Sequence, residues 1–504
     1  MLVLTLPAAV LAADPLPEVR AAEVAAPSPS WSGFALVQTR TALTNLASTN
    51  PLLDGQVIGR LGGTNGVIVD PAARSAYTEQ RVGAFATYRP EMLDGKAALT
   101  GAFEVDFAWG DRSYGVAGNT GAAIGGDMVN LQTRRLAAEF WPTTGPVQWH
   151  LVAGLQLLTD GAVDPSGARP DGLFRSGGKL MFWGTEAAGI AAYGRWTDQG
   201  WGDRLIWRLG SFTLYEQGLA TADDVWLTVA DAQLRPSWTT SLGLHAWYLQ
   251  DRAGGTAGLL GSGPASALSE MQGGPTLDPY ATVARPADAA IDADLVWLGA
   301  DVGHNADLTQ GPVGLTAAAF ANVGRVYATV APDIAVAGAL ADAELRVRYA
   351  PGRSVLRAEG LFTTGDDLDP RRYRGVVTGN SYGIAGALYA SHGTYLLFSD
   401  PGSINRMVAV VPDVSGAGRG VTAVTAGAAF DPLPHRLTTA VGFGTAADSS
   451  LATWGTEGNL RVTATPLPLL DLSWVAAACA PGPAAGGGPA AWATYLTVDW
   501  VVAP

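Results

Sequence analysis

Residues Gly379-Asn380-Ser381-Tyr382-Gly383 match the G-x-S-x-G spacing that exposes a serine nucleophile on a sharp turn, and Val376-Val377-Thr378 before them reads as the preceding strand. The chemistry on offer is ester hydrolysis with Ser381 as nucleophile. Such an elbow needs a sheet of alternating strands and helices behind it, and that alternation is missing from the chain. With 64 glycines, chance supplies the spacing readily, so a surface esterase is the weakest reading. Asp366, Asp367 and Asp369 offer hard oxygen ligands for Ca²⁺, but the run lacks the glycine and terminal glutamate of an EF-hand loop and reads better as a solvated acidic loop. The five histidines, His150, His245, His304, His392 and His435, include no pair at metal-ligand spacing. The single cysteine, Cys479, excludes an intrachain disulfide and a multi-cysteine metal site. Nothing in these residues calls for a cofactor.

Charge placed at every second position points to a different kind of chemistry, in which residues line a path rather than react. In 101–109, Phe103, Val105, Phe107 and Trp109 share one face of an extended strand, and Glu104 and Asp106 the other. The segment 341–349 repeats this, with Asp342, Glu344, Arg346 and Arg348 opposite Ala341, Ala343, Leu345, Val347 and Tyr349. In 147–157 the wet positions are Gln148, His150, Gly154 and Gln156. Across the chain the inward cations are Arg134, Arg204, Arg208, Arg235, Arg346, Arg348, Arg357 and Arg461. Facing them are Glu104, Asp106, Asp231, Asp292, Asp294, Asp342, Glu344, Glu359, Glu457, Asp471 and Asp499. Opposed charges across a water-filled constriction create a transverse field suited to hydrophilic solutes, whereas a ring of one sign selects ions or polyanions. The same residues also read as cross-strand pairs that stiffen a wall.

The elements that must carry these residues follow from composition. The chain is 48% hydrophobic and 15% charged over 504 residues, and after the N-terminus it has no run of 18 apolar residues. Spanning helices are therefore not expected, and a closed barrel is the other backbone arrangement that satisfies every N–H and C=O in lipid. A formal charge of −14 and the lack of a basic run argue against nucleic acid. Residues 1–13 read as the apolar core and cleavage region of a secretory signal peptide without its positive leader, and 14–30 as a flexible periplasmic lead-in.

Tight reversals at 89–95, 142–146, 198–202, 235–236, 310–312, 350–352, 431–434 and 465–468 carry Pro or Gly. They alternate with longer stretches at 44–76, 111–126, 160–185, 251–289, 365–418 and 481–489, and with shorter connections near 216–222, 324–333 and 448–454. Short turns on one side and long loops on the other predict an all-β fold: a single antiparallel transmembrane β-barrel of about 18 strands over 31–504. A misread pair of turns would give 16 or 20. Trp109, Trp149, Trp207, Trp226, Trp238, Tyr248, Trp297, Tyr349, Trp474, Trp492 and Trp500 fall near strand ends as two outward interfacial girdles. The loop 365–418 is long enough to enter the barrel and narrow it, through its apolar part 381–398, or to cap it from outside.

Residues Val129-Asn130-Leu131-Gln132-Thr133-Arg134, Leu136-Ala137-Ala138-Glu139-Phe140 and Leu151-Val152-Ala153-Gly154-Leu155-Gln156 resemble the early hairpin of the alginate-export-like outer-membrane barrels. Leu361-Phe362-Thr363-Thr364-Gly365-Asp366-Asp367 is similar to that group's later strand and loop. Where the group has Gly-Arg-Gln, this chain has Gly154-Leu155-Gln156. The resemblance implies an 18-stranded channel in the bacterial outer membrane. The strongly cationic polyanion conduit of the group's namesake is not implied by the mixed charges here. The expected function is a porin-like channel for hydrophilic solutes, saccharides or polysaccharide among them; an envelope scaffold that anchors a protein partner is the alternative. Whether barrels associate is left open by the sequence.

Overall fold

A computed structural model describes residues 30–48, 57–61, 66–109 apart from 73 and 92–95, 130–142, 147–159, 184–196, 205–215, 224–253, 291–377 apart from 307, 329–331, 368 and 370, 393–398, 400, 404, 406–411, 414–416 and 418–502. The signal-peptide and lead-in readings over 1–29, the Ser381 elbow, His392 and Arg204 lie outside the described residues.

Eighteen long strands form one antiparallel sheet closed on itself. The first six are β1 (Ser30–Thr44), β2 (Ser75–Arg89), β3 (Ala97–Ala108), β4 (Asn130–Phe140), β5 (Val147–Thr159) and β6 (Gly184–Trp196). The next six are β7 (Leu205–Tyr215), β8 (Val225–Ser237), β9 (Thr240–Asp251), β10 (Ile291–His304), β11 (Val313–Ala328) and β12 (Ile334–Arg348). The last are β13 (Val355–Thr363), β14 (Thr422–Leu433), β15 (Leu437–Ala447), β16 (Thr453–Leu467), β17 (Leu470–Pro481) and β18 (Ala491–Val502). Each pairs with its neighbour in sequence, and β18 returns to β1 with Val37 opposite Trp500 and Thr44 opposite Ala493. Closure removes both sheet edges, so no row of backbone donors meets lipid.

All eight tight reversals read from the sequence join strands at one end, and all nine longer connections join them at the other. The short strands Leu46–Ser48, Val57–Leu61, Gly66–Val69 and Arg406–Ala409 make a separate four-stranded sheet that couples the first long connection to the one after β13. Among the described residues no helix is long and apolar enough to cross a membrane.

The outer face is apolar at alternate positions, with Leu99, Phe103, Leu136, Ile190, Leu209, Leu244, Leu298, Phe362, Val424 and Phe443 exposed. Arginine or lysine at mid-depth on that face would cost about 2–4 kcal/mol, and the described strands avoid it. Trp31, Trp196, Trp238, Tyr349 and Trp500 are exposed towards the short-turn end, and Trp109, Trp226, Tyr248 and Tyr327 towards the long-loop end. These two girdles sit where amphipathic rings favour the membrane–water boundary. The chain is thus an integral barrel of the outer-membrane type.

One strand departs from the sequence reading. In β10, Ala293, Leu295 and Trp297 are buried inside, so Trp297 is not a girdle residue, and Asp292 and Asp294 face outward rather than into the lumen. The reason is what covers the inner side. Trp297 donates its indole N–H to the carbonyl of Val377 at 2.9 Å, so this part of the wall meets folded chain instead of water. Asp294 lies at the long-loop rim, where it accepts from the Tyr248 hydroxyl at 2.8 Å and pairs with Arg252 at 2.9 Å. A "polar inside" rule inverts wherever a loop supplies the inner neighbour.

Candidate functional site

The inner face of the barrel gathers the charged residues on adjacent strands. On β1–β4, Arg81 makes a two-pronged contact with Asp106, Nε to Oδ1 at 2.9 Å and Nη2 to Oδ2 at 3.0 Å, and lies 3.2 Å from Glu104. Arg134 approaches Glu104 at 3.6 Å. All four are buried. A paired arrangement of this kind offsets the large cost of taking each charge out of water. Arg40 completes the group, 2.6 Å from Asp400 and stacked 3.5 Å above the Tyr495 ring.

Further round the wall, on β7 and β8, Arg208 pairs with Asp231 at 2.7 Å, and Asp231 also accepts from the Trp247 indole at 2.8 Å. On β12 and β13, Arg346 grips Glu344 with Nε at 2.8 Å and Nη2 at 3.0 Å, and Arg357 lies 3.8 Å from the same carboxylate. Asp342 and Glu359 lie buried on the same inner face, and the Thr425 hydroxyl reaches Glu359 at 3.5 Å. Arg461 donates to Thr463 at 3.0 Å and to Ser473 at 3.3 Å. Arg235 and Arg348 are half-buried at inner positions near the short-turn end.

Around β12, β13 and β16 burial divides these residues by sign, whereas Arg40, Arg81, Arg134 and Arg208 elsewhere on the wall are as buried as the acids they meet. Glu104, Asp106, Asp231, Asp342, Glu344 and Glu359 are all shielded, whereas the side chains of Arg346 and Arg357 stay 41% and 24% exposed and Arg461 is exposed as well. Hence the charge that reaches solvent around β12, β13 and β16 is positive, although the tally of residues is mixed. Among the inner acids, Asp301 on β10 keeps its side chain 30% exposed, and Asp471 and Asp499 are half-buried at inner positions near the short-turn end.

Chain from the connection after β13 is bound to this wall. The carboxylate of Glu457 on β16 accepts three successive backbone N–H groups, from Tyr395 at 2.8 Å, Leu396 at 2.8 Å and Leu397 at 2.6 Å. Consecutive amides converging on one anion form a nest, and each such bond is charge-assisted. Asn459 donates to the carbonyl of Gly393 at 2.6 Å. Gly393 has φ +84°, a backbone conformation that favours glycine. Further along, Ile404 donates its N–H to Glu79 at 3.2 Å, and Val377 donates to Asn322 at 3.2 Å. Leu396, Leu397, Phe398, Val410, Val411 and Val414 pack with Leu340, Leu361, Trp454 and Val475 in one apolar cluster inside the wall.

The acidic trio is engaged by arginine rather than left open for a cation. Asp367 pairs with Arg372 at 2.6 Å and Arg374 at 3.3 Å, and Asp369 with Arg372 at 3.1 Å. The hydrogen bond from Arg372 holds the exposed Asp367 carboxyl below its ordinary pKa. Asp366 accepts from the backbone N–H of Arg374. Among the described residues no group of three His, Cys, Asp or Glu side chains is arranged to hold a metal ion.

Sequence reasoning overlooked Arg40, Glu79 and Arg81, although Tyr77, Glu79 and Arg81 already show the two-residue period. It also overlooked Arg135, for a better reason. The β3–β4 register slips at Phe103 and buries Arg134 and Arg135 together, so strict alternation misassigns one of two consecutive arginines. Arg135 donates to Thr100 at 3.0 Å and Glu139 at 2.8 Å.

No family model matches the chain, and no curated protein matches it either, so the resemblance to alginate-export-like barrels rests on its residues alone. Solved structures do match over nearly the full length. OccAB1 of Acinetobacter baumannii is 11% identical, covers 96% of this chain and 100% of its own, and superposes with a TM-score of 0.50. OccK9 (OpdG) of Pseudomonas aeruginosa is 14% identical over 93% of this chain and 98% of its own, with a TM-score of 0.46. The outer membrane channel DcaP of Acinetobacter baumannii is 11% identical over 94% and 97%, with a TM-score of 0.43. At these identities the likeness to OccAB1 is one of fold.

Proposed function

We propose that this chain is a porin-like channel of the bacterial outer membrane, passing small hydrophilic solutes, saccharides among them, through a lumen narrowed by the connection after β13. The observation that carries the reading is local to β12, β13 and β16: Asp342, Glu344 and Glu359 are buried, while the side chains of Arg346, Arg357 and Arg461 reach solvent inside the barrel. A wall that served only to anchor a partner would have no need to keep cationic side chains accessible to solvent inside a closed barrel. Exposed guanidinium favours solutes bearing carboxylate, phosphate or dense hydroxyl groups, which accept its fixed fork of donors.

Liposomes reconstituted with the refolded protein should swell in sugars at rates that fall with molecular size, with a charged sugar acid entering faster than a neutral sugar of equal size. Swelling no faster than in protein-free liposomes, with the barrel folded, would favour the scaffold reading.

A further inference from the structure

Six consecutive strands are tied side to side across the inner face by one chain of hydrogen bonds. Tyr193 of β6 donates to Gln156 of β5 at 3.2 Å, and Arg208 of β7 is hydrogen-bonded to Tyr193. Arg208 donates Nε to Asp231 of β8 at 2.8 Å. His245 of β9 then bridges two carboxylates, with Nδ1 2.7 Å from Asp231 and Nε2 2.6 Å from Asp301 of β10.

A carboxylate only accepts, so a ring nitrogen at such a distance from one must carry hydrogen. With both acids ionised, both nitrogens of His245 carry hydrogen and the side chain is an imidazolium. Its two partners are not equivalent. Asp231 is fixed by Arg208 and by the Trp247 indole at 2.8 Å, and is buried. Asp301 keeps its side chain 30% exposed. Gly243 stands directly opposite Asp301 in the β9–β10 register, and a Cβ there would fall 1.7 Å from the Asp301 Oδ2 atom. That missing side chain opens the path by which Asp301 crosses to His245. Among the described residues, the charged groups around the ring are Arg208 from β7, Asp231 from β8 and Asp301 from β10, with Trp247 beside it on β9 and Phe320 of β11 stacked at 5.3 Å.

We propose that His245 and Asp301 form a proton-operated selectivity element in the lumen. With the imidazolium present, the Asp301 charge is cancelled at the wall. Loss of the Nε2 proton to lumen water turns a lone pair towards the carboxylate, which swings back across Gly243, away from His245, as an uncompensated negative charge. Raising the pH then makes the channel less permeable to anions. The proposal rests on the channel reading, and its tests separate the two.

Reversal potentials across planar bilayers, scanned from about pH 6 to about pH 10 to bracket imidazole titration, should show the chloride-to-potassium permeability ratio falling as pH rises. The expected drop is about sixfold, because one charge about 8 Å away in water shifts each ion by a factor of about 2.4, in opposite directions for chloride and potassium. Asp301→Asn should abolish the drop, and His245→Gln should hold the ratio at its high-pH value throughout. Retention of the full wild-type drop in Asp301→Asn would overturn the proposal, and that variant stands alone if His245→Gln does not fold. Nitrogen NMR of the His245 ring reads the element without any conductance. Both nitrogens should be protonated at about pH 7; a neutral tautomer there would sink the proposal even in a conducting barrel, whereas a doubly protonated ring in a silent barrel would sink only the channel reading.

Discussion

Replacing Glu457 by alanine should raise single-channel conductance and make it flicker. This carboxylate is the acceptor for the amides of Tyr395, Leu396 and Leu397, which belong to the connection after β13 and are held against the inner wall. A hydrogen bond to a charged group is worth about 1.5–3 kcal/mol, and even one of the three corresponds to a factor of about 10–100 in the ratio of bound to released segment. The apolar contacts of Leu396, Leu397 and Phe398 still tether the segment, so the variant should fluctuate between narrow and wide states rather than lose the constriction. Glu457→Gln, which keeps an acceptor oxygen, should lie between the two. Unchanged conductance in Glu457→Ala would mean that this segment lies outside the conducting path.

The second large effect concerns ion choice. Removing both Arg346 and Arg357 as alanines should turn the lumen from anion-preferring towards cation-preferring. At about 4 Å a unit charge in water contributes about 1 kcal/mol to a passing ion. Two charges lost, with Glu344 left without its guanidinium partners, should shift the chloride-to-potassium permeability ratio about tenfold or more. Reversal potentials in a salt gradient read this directly. A ratio that does not move would assign both arginines to stiffening the wall.

These two predictions draw on information of different range. The strands and their facing were legible because the alternation is local: Phe103 with Glu104, and Leu345 with Glu344, declare their sides within a few residues. Turn chemistry at 350–352 and 465–468 then set the parity that closes the ring at eighteen strands. What stayed hidden is what depends on contacts between distant segments. Glu457 reads from sequence as one more inward carboxylate, and its amide partners lie about sixty residues earlier in the chain. The β10 facing was misread because the sequence of that strand cannot say that Val377 lies across from Trp297. Arg135 was lost to a one-residue bulge, a feature that alternation alone cannot express. Which inward charges are shielded, as Arg208 is, and which stay accessible, as Arg346 does, was equally out of reach, since burial inside a barrel is decided by whatever enters it.

The channel reading stands or falls on a continuous aqueous path through the closed wall. The decisive measurement is the current carried by single copies of the refolded, full-length protein in a planar lipid bilayer, with barrel formation checked by heat-modifiable migration in SDS gels. Discrete, ohmic conductance steps with a preference for anions are expected. A folded barrel that inserts and carries no current, both for the unaltered chain and for Glu457→Ala, would contradict it.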